Sequence, residues 1–324
     1  MGTPVMSVLD GLLAMAVVGL AWTALAGRRL FRSAVLFIAL GVFLAVAWAR
    51  LGAPDVALAE VALGAGVTGA LLMRAVGGTS RHRAPRQAIP GPVAGTSRAA
   101  RGSRAAATVA AALGGALVWA VLSLPSHPPT LGEAVMRDLG RSGASHPVTA
   151  VLLNFRAWDT LLEVTVLLAA LVGTYAFARA PNADAPRRQP DVVLVSLARV
   201  LMPISYLAAG YILWKGTRAP GGAFQAGAVL TGAGIMAVLS GLMWPERWQR
   251  RLTAMALVIG PGGFAALAVV GWFTRGALLA VAPERAAVQI LLIEAAVTLS
   301  IALTLLGLFL GVAAGSGRDT EGRA

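Results

Sequence analysis

Three glutamates, Glu60, Glu163 and Glu294, lie inside stretches that are otherwise apolar enough to cross a membrane. Placing a carboxylate in hydrocarbon costs roughly 2.5–3.5 kcal/mol on insertion scales. A chain that accepts this cost in three separate spans is expected to use the carboxylates. The simplest chemistry for them is the uptake and release of protons or the binding of cations.

Glu60 follows the sequence Gly-Ala-Pro-Asp-Val-Ala-Leu-Ala, which predicts the start of a helix. Pro54 suits the first turn because its missing N–H would be unpaired there in any case, and Asp55 suits the positive end of the helix dipole. Glu60 would then lie about 9 Å further along the helix axis. The alternative role for Glu60 is a structural carboxylate that is hydrogen-bonded to a neighbouring helix.

Glu163 lies in a second polar constellation at the start of a span. Arg156 and Asp159 are three residues apart and are expected to pair at the membrane surface. Glu163 follows Asp159 by four residues, on the same face and about 6 Å deeper. The alternative is an ordinary interfacial anchor of Arg156, Trp158 and Asp159, which leaves Glu163 unexplained.

Glu294 has polar neighbours in its own span, and a glycine-rich connection precedes it in the chain. Gln289 lies five residues before it and Thr298 four residues after it, so both are expected on or near its face. Gln225 would enter the membrane at a helix N-terminus, after glycines that allow positive φ or close backbone approach. The residues of interest in that connection are Pro220, Gly221, Gly222, Phe224 and Gly227.

The composition of the chain is that of an integral membrane protein. Of 324 residues, 57% are hydrophobic and 13% charged, against about 25% charged in soluble domains, and the mean hydropathy is +0.76. Nine apolar runs predict an all-α polytopic transmembrane helix bundle, because backbone polar groups in lipid must pair within their own segment. The predicted spans are residues 6–26, 32–49, 54–76, 105–124, 158–178, 194–214, 223–243, 253–273 and 286–312.

The basic residues predict the orientation of these spans. With residues 27–31 in the cytoplasm, most arginines fall in cytoplasmic segments. The N-terminus is then outside and the C-terminus inside. All three glutamate-bearing spans begin on the outer side in this topology, so their carboxylates are expected at comparable depth. That arrangement favours a lateral polar path.

Two polar linkers divide the nine spans into modules of three, two and four. The first linker is rich in arginine with scattered Gly, Pro and Ser, and the second is rich in Pro and Asp, which favours flexible connections. The predicted organisation is a three-helix module at 1–76, a basic cytoplasmic linker at 77–104, a two-helix module at 105–179, a linker at 180–191, a four-helix module at 192–315 and a cytoplasmic tail at 316–324.

The sequence contains no signature of enzyme, cofactor or metal chemistry. Without cysteine it cannot supply thiolates to an iron–sulfur cluster or form a disulfide. It has no Walker motif, no Rossmann glycine fingerprint and no His-rich metal site. A net charge of +13 would indicate nucleic acid in a soluble protein, but arginines between spans are explained by topology and anionic lipid. We expect no catalytic residue, no cofactor, no metal and no nucleic-acid partner.

Three segments resemble parts of one family of membrane complexes. Residues 53–60 (APDVALAE), followed by Gly64-Ala-Gly66, resemble the D-type membrane subunit of membrane-bound hydrogenases, which also occurs at the C-terminal end of the large A-type subunit of Mrp-type Na⁺/H⁺ antiporters. Residues 148–166 resemble the E-type subunit that follows it. Residues 218–227, together with Glu294 in the last span, are similar to the B-type subunit of the antiporters.

The resemblance implies an accessory membrane subunit of a multisubunit Na⁺/H⁺ antiporter in the prokaryotic cytoplasmic (inner) membrane. Its partners would be large antiporter-like subunits and small membrane subunits, and its transported ions Na⁺ and H⁺. The resemblance further implies that Glu60, Glu163 and, as a third candidate, Glu294 contribute to an ion-transfer path. Two alternatives stay open: a membrane-arm subunit of a complex-I-like hydrogenase or other redox-driven proton pump, and a purely structural scaffold.

Overall fold

The structure is a computed structural model of the chain, and it describes residues 4–27, 29–81, 97–125, 131–177, 191–241, 246–279 and 283–315. Every regular element within these ranges is a helix. The prediction of an all-α fold is confirmed.

The helices follow one another in three groups. The first group is α1 (Pro4–Ala26), α2 (Leu30–Arg50), α3 (Pro54–Ala59), a first π-helix (Glu60–Val67) and α4 (Thr68–Arg81). The second group is α5 (Ser97–Leu122), α6 (Gly132–Asp138), a 3₁₀ turn (Leu139–Arg141), α7 (Pro147–Ala150), a second π-helix (Val151–Phe155) and α8 (Ala157–Phe177). The third group is α9 (Val192–Lys215), α10 (Ala223–Leu239), α11 (Glu246–Arg275) and α12 (Ala286–Gly315).

Seven helical segments in the described ranges are long and apolar enough to cross a membrane, by length and composition. They are Val8–Ala26, Leu30–Arg50, Pro54–Gly77, Ala157–Ala176, Val192–Lys215, Ala254–Arg275 and Ala286–Gly311. Two shorter apolar helices, Ala107–Leu122 and Ala223–Leu239, coincide with two further predicted spans. The polytopic membrane architecture is confirmed. The count of nine spans, the outward N-terminus and the inward C-terminus stay predictions.

The predicted linkers are described only in part. Helix α5 begins at Ser97, inside the predicted linker 77–104, because the alanine and arginine residues there are good helix formers. Most of the linker 180–191 and the tail 316–324 lie outside the described residues. The predicted division into modules of three, two and four spans therefore stays a prediction.

The chain divides into two compact units, Met1–Arg81 with Val135–Ala324, and His82–Ala134. In the larger unit the core surrounds α12, against which α4, α8, α10 and α11 pack. Ile290, Val297 and Ile301 of α12 are almost fully buried, as are Val164 of α8 and Phe264 of α11. In the smaller unit the described side chains of α5 are exposed.

The connection before α8 packs into the core, although the sequence predicts only a link between spans there. Thr149, Ala150 and Leu153 are buried in α7 and the second π-helix. The hydroxyl of Thr160 donates a hydrogen bond of 2.7 Å to the Leu152 carbonyl oxygen. This bond supplies a partner for a carbonyl group of the π-helix, as a buried backbone group requires.

Helices α11 and α12 approach closely at the Gly-Pro-Gly-Gly sequence of α11. Pro261 lies inside a helix that continues to Arg275, so it does not end the span. A Cβ at Gly260 would collide with the Ser300 side chain of α12. The Ser300 hydroxyl donates a 2.7 Å hydrogen bond to the carbonyl oxygen of Ala256, which lies before the proline on α11. The sequence therefore specifies a packed helix crossing at this point.

Candidate functional site

The glycine loop, residues 216–222 between α9 and α10, is where distant parts of the chain meet. Asp55, in the first turn of α3, accepts a 3.1 Å hydrogen bond through Oδ1 from the backbone N–H of Gly221. Gln225, in the first turn of α10, donates from Nε2 to the Asp55 carbonyl oxygen at 3.2 Å. These two bonds join the start of α3 to the glycine loop and to the start of α10.

The segment leading into α7 is attached to the same loop. The backbone N–H of His146 donates to the Thr217 carbonyl oxygen at 3.1 Å, and Thr149 Oγ1 donates to the Gly216 carbonyl oxygen at 2.5 Å. His146 Nε2 lies 3.4 Å from Asp55 Oδ2, a contact that becomes an ion pair when the imidazole is protonated. His146 Nδ1 is buried and has no hydrogen-bond partner within the described part of the chain.

Sequence reasoning missed His146. His146 lies between two predicted spans, and the neighbouring Pro147, which opens α7, is the only local signal of an ordered position. Its partner Asp55 precedes it by ninety-one positions, so no sequence spacing could have indicated the pair.

Glu294 lies next to the glycine loop. Its side chain is 2% exposed, and a Cβ at Gly216 or at Gly222 would lie 3.2 Å from its Oε1. Oε2 has no hydrogen-bond partner among the described residues. The Thr298 hydroxyl donates a hydrogen bond of 2.7 Å to the backbone carbonyl oxygen of Glu294. Thr298 is therefore a polar neighbour of Glu294, as expected, but it bonds to the backbone and not to the carboxylate. Gln289 Oε1 is likewise buried and unpartnered there.

The glycine loop requires glycine at two positions. Gly221 has φ 153° and Gly222 has φ 117°, a conformation that L side chains rarely adopt. A Cβ at Gly221 would also lie 2.7 Å from the Ile212 carbonyl oxygen. Pro220 is half-buried beside them. The backbone of the loop therefore closely approaches the backbone of α9 at Gly221, two residues before α10 begins at Ala223.

The other two residues of the glycine-rich motif pack into the core. Phe224 is half-buried against the hydrophobic core. Gly227 faces α12, where a Cβ would lie 2.9 Å from Ile301 Cγ2. Their positions are those of packing residues.

Glu60 opens the first π-helix and faces α2. A Cβ at Gly41 of α2 would lie 3.2 Å from Glu60 Oε1, and a Cβ at Gly64 would collide with the same carboxylate. Small residues on both helices thus make room for the carboxylate. π-Helical turns inside α-helices occur frequently at functional sites. Beyond the glycine and alanine content of these residues, no sequence feature indicated the π-helix.

Glu163 has the most open surroundings of the three glutamates. It is exposed on α8, near Leu162 and Val166, which are 59% and 67% exposed. The predicted pair of Arg156 and Asp159 forms, with 2.5 Å between Nη2 and Oδ2. In the described ranges no hydrogen bond or ion pair joins any two of the three glutamates. Their comparable depth in a membrane stays a prediction.

The geometry gives one buried carboxylate beside a glycine loop, a second facing small residues in a π-helix, and a third on an outward face. Such groups can hold and release protons or bind cations. Among the described residues, no three His, Cys, Asp or Glu side chains lie together as metal ligands.

Two protein families match the chain in separate segments. The family MbhD, described as the D-type subunit of MBH, matches residues 15–81. The family MnhB, described as a domain related to the MnhB subunit of Na⁺/H⁺ antiporter, matches residues 193–317. These segments contain Glu60 and Glu294. No curated protein matches the chain.

Two solved structures have a similar fold. The Mrp complex from Dietzia sp. DQ12-45-1b matches with a TM-score of 0.71 and 22% identity, over 99% of this chain and 36% of that chain. The membrane-bound sulfane sulfur reductase, an archaeal respiratory membrane complex, matches with a TM-score of 0.52 and 25% identity, over 64% of this chain and 96% of that chain. The chain thus spans about a third of the Mrp chain that it matches.

Fold and site together define a polytopic helical membrane protein with carboxylates inside its apolar helices. The two family matches fall on the same segments that resembled the D-type and B-type subunits in the sequence. The chain therefore carries an MbhD-like part and an MnhB-like part in one polypeptide, and its fold is similar to that of part of the Mrp complex. The resemblance of residues 148–166 to the E-type subunit lies between the two matched segments and stays a prediction.

Proposed function

We propose that this chain is an accessory subunit of a multisubunit monovalent cation/proton antiporter in a prokaryotic cytoplasmic membrane. It contributes Glu60, Glu163 and Glu294 to a proton or ion transfer path and helps the complex to assemble. Asp55, Arg156, Asp159 and Gln225 support these carboxylates, and its partners are large antiporter-like subunits and small membrane subunits.

One observation carries the relay role. Each of the three glutamates lies within a helix that is long and apolar enough to cross a membrane, Pro54–Gly77, Ala157–Ala176 and Ala286–Gly311. A carboxylate in such a segment is costly, and in known membrane proteins it marks ion pathways and proton relays. The MnhB match supports the antiporter as the host complex.

The surroundings of the glutamates suggest different roles for them. Glu294 is enclosed by this chain, so any proton or ion that reaches it must pass the glycine loop or the core. Glu163 is exposed on an otherwise apolar helix, so its carboxylate needs a neighbouring subunit to shield it from lipid. We therefore place Glu163 at the contact with a partner and Glu294 inside this subunit.

The relay is tested with the variants Glu60→Gln and Glu163→Gln in the assembled complex. Everted vesicles are energised, Na⁺ is added, and proton efflux is followed with a pH-sensitive dye. The amide has the size of the carboxyl group but cannot exchange a proton, so we expect transport to be slowed or lost while all subunits still co-purify. Unchanged transport in both variants removes the relay role.

A redox-driven proton pump is the second candidate host. Two observations favour it: the MbhD match, and the structural match to the sulfane sulfur reductase, which covers nearly the whole of the matched reductase chain. Gentle purification of the tagged chain, followed by identification of the proteins that accompany it, discriminates between the hosts. Hydrogenase or reductase subunits among them would indicate a redox-driven complex. If only antiporter-like subunits accompany the chain, the host is the antiporter.

A structural scaffold is the third candidate, and the bonds at the glycine loop favour it. Asp55 and Thr149 bond two separate segments to that loop. In this case the Glu→Gln variants transport normally, whereas a bulky residue at Gly222 prevents assembly. The transport and co-purification measurements above therefore separate the scaffold from the relay.

A further inference from the structure

The carboxyl group of Glu294 is buried without a compensating positive charge. Its side chain is 2% exposed, and no ion pair found in the described ranges includes it. The two basic residues at the glycine loop are directed elsewhere. Lys215 Nζ lies 5.9 Å from the centre of the Tyr211 ring, and Arg218 Cζ lies 5.3 Å from that of Trp214.

A carboxylate in this position cannot stay ionised alone, because removing an isolated charge from water is too costly. Two partners can neutralise it. One is a proton on a carboxyl oxygen, and the other is a cation bound beside the carboxylate. Since either one suffices, the presence of one disfavours the other.

The side-chain oxygen of Gln225 also lies near Gly222, as the carboxylate of Glu294 does. A Cβ at Gly222 would lie 3.2 Å from Glu294 Oε1 and 3.8 Å from Gln225 Oε1. Gln225 is held by the bond from its Nε2 to the Asp55 carbonyl oxygen. That bond leaves the amide oxygen free to act as an acceptor. Because position 222 is a glycine, no Cβ fills the space near the two oxygens.

Carboxylate and amide oxygens are ligands of hard cations, not of soft metals. One negative charge matches one monovalent cation, and non-helical breaks between membrane helices are where transporters bind Na⁺ and H⁺. We propose that Glu294 and Gln225 form a binding site for Na⁺, and that a proton on Glu294 replaces the cation when it leaves. This site rests on the proposed antiporter function and locates a cation–proton exchange within this subunit.

The first test is chemical modification of the purified complex that contains the full chain. Dicyclohexylcarbodiimide reacts with a protonated carboxyl group, which adds across the reagent and rearranges to a stable N-acylurea. The reaction is run in NaCl and in choline chloride at equal ionic strength, and the modified peptides are quantified by mass spectrometry. We expect Na⁺ to lower the modification of Glu294. Equal modification of Glu294 in both salts overturns the cation site.

The second test removes one ligand. Gln225→Leu keeps the volume of the side chain and deletes the amide oxygen, so we expect the Na⁺ concentration that halves the modification to rise by about tenfold. Gln289→Leu makes the same change at another buried amide of this chain and should leave that concentration unchanged. The proposal is contradicted if the Na⁺ concentration that halves the modification is the same in Gln225→Leu as in the chain without a substitution. It is also contradicted if this concentration rises equally in both variants.

An infrared difference spectrum between Na⁺ and choline avoids the need for a reagent to reach the site. We expect Na⁺ to remove the carbonyl stretch of a protonated carboxyl group, and Glu294→Gln to abolish this difference. No such band in the unmodified complex overturns the proposal. The outcome is independent of the relay test. If the protonation of Glu294 does not respond to Na⁺, the cation site is contradicted but a proton relay remains possible. If transport is unchanged in Glu60→Gln and Glu163→Gln, the relay is contradicted but the cation site remains possible.

Discussion

The Asp55 carboxylate accepts a hydrogen bond from the backbone N–H of Gly221, which lies 166 positions later in the chain. Its second oxygen lies 3.4 Å from His146 Nε2, and its side chain is 14% exposed. One carboxylate therefore connects α3, the segment before α7 and the glycine loop. Hydrogen bonds to an ionised acceptor are about twice as strong as those between neutral groups.

Replacing Asp55 should destabilise the fold. Asp55→Ala leaves the Gly221 N–H without its acceptor, and we expect the free energy of unfolding to fall by about 1.5–3 kcal/mol. Asp55→Asn should cost less, because the amide oxygen still accepts from Gly221. The measurement is denaturant unfolding of the purified chain in detergent, followed by tryptophan fluorescence.

The matched control is Asp159→Ala, which removes an aspartate from the exposed pair with Arg156. An exposed pair contributes about 0–1 kcal/mol, so this variant should unfold nearly as the unmodified chain does. Equal losses in Asp55→Ala and Asp159→Ala would show that the Gly221 bond adds no stability.

The glycine loop should not tolerate a side chain at Gly221. Gly221→Ala places a Cβ in a strained conformation and 2.7 Å from the Ile212 carbonyl oxygen. The control is Gly276→Ala, since Gly276 also has positive φ, 69°, but nothing within 4 Å of the built Cβ. The backbone strain costs about 1–3 kcal/mol at either position, and we expect a further loss only at Gly221. Similar unfolding free energies for the two variants would remove the contact as a cause.

Features set by local spacing could be predicted from the sequence. The spans follow from long apolar runs, and the Arg156–Asp159 pair follows from two charges three residues apart on one helix. Pro54 does open a helix, with Asp55 in its first turn. In each case the interacting groups lie within one or two turns of each other, so the helical period alone brings them together.

Features that depend on tertiary contact could not be predicted. The bond from Gly221 to Asp55 joins segments whose distance along the chain carries no information about their distance in space. The exposed position of Glu163 depends on which face of α8 packs against α12, and an apolar span gives little sign of that face. The π-helix at Glu60 needs a small change in winding that glycine and alanine allow but do not specify.

The crossing of α11 and α12 predicts opposite effects for two glycines on either side of Pro261. Gly260→Ala would push a Cβ into Ser300, which already bonds to Ala256, so we expect it to destabilise the chain. Gly262→Ala meets only Val258 of its own helix, at 3.9 Å. It should be neutral or stabilising by up to about 1 kcal/mol, since alanine is the better helix former. Thermal unfolding in detergent measures both, and a neutral Gly260→Ala would contradict the close crossing.

Arg74 and Phe309 should contribute a second attachment between the MbhD-like and MnhB-like parts. The guanidinium carbon of Arg74 lies 4.1 Å from the centre of the Phe309 ring, and that ring is 2% exposed. Phe309 is fifteen residues beyond Glu294 on α12, about 22 Å along the helix axis. The contact is therefore far from the glycine loop.

A cation over a desolvated aromatic ring contributes about 2 kcal/mol, and at an exposed site about 0.5–1 kcal/mol. We therefore expect Arg74→Gln to lower the free energy of unfolding more than Arg218→Gln, whose guanidinium lies over the exposed Trp214 at 5.3 Å. Arg74→Lys, which keeps the charge, should fall between Arg74→Gln and the unmodified chain. If Arg74→Lys is as damaging as Arg74→Gln, the shape of the guanidinium and not its charge holds the two helices together, because only the planar group would then be missing from both variants.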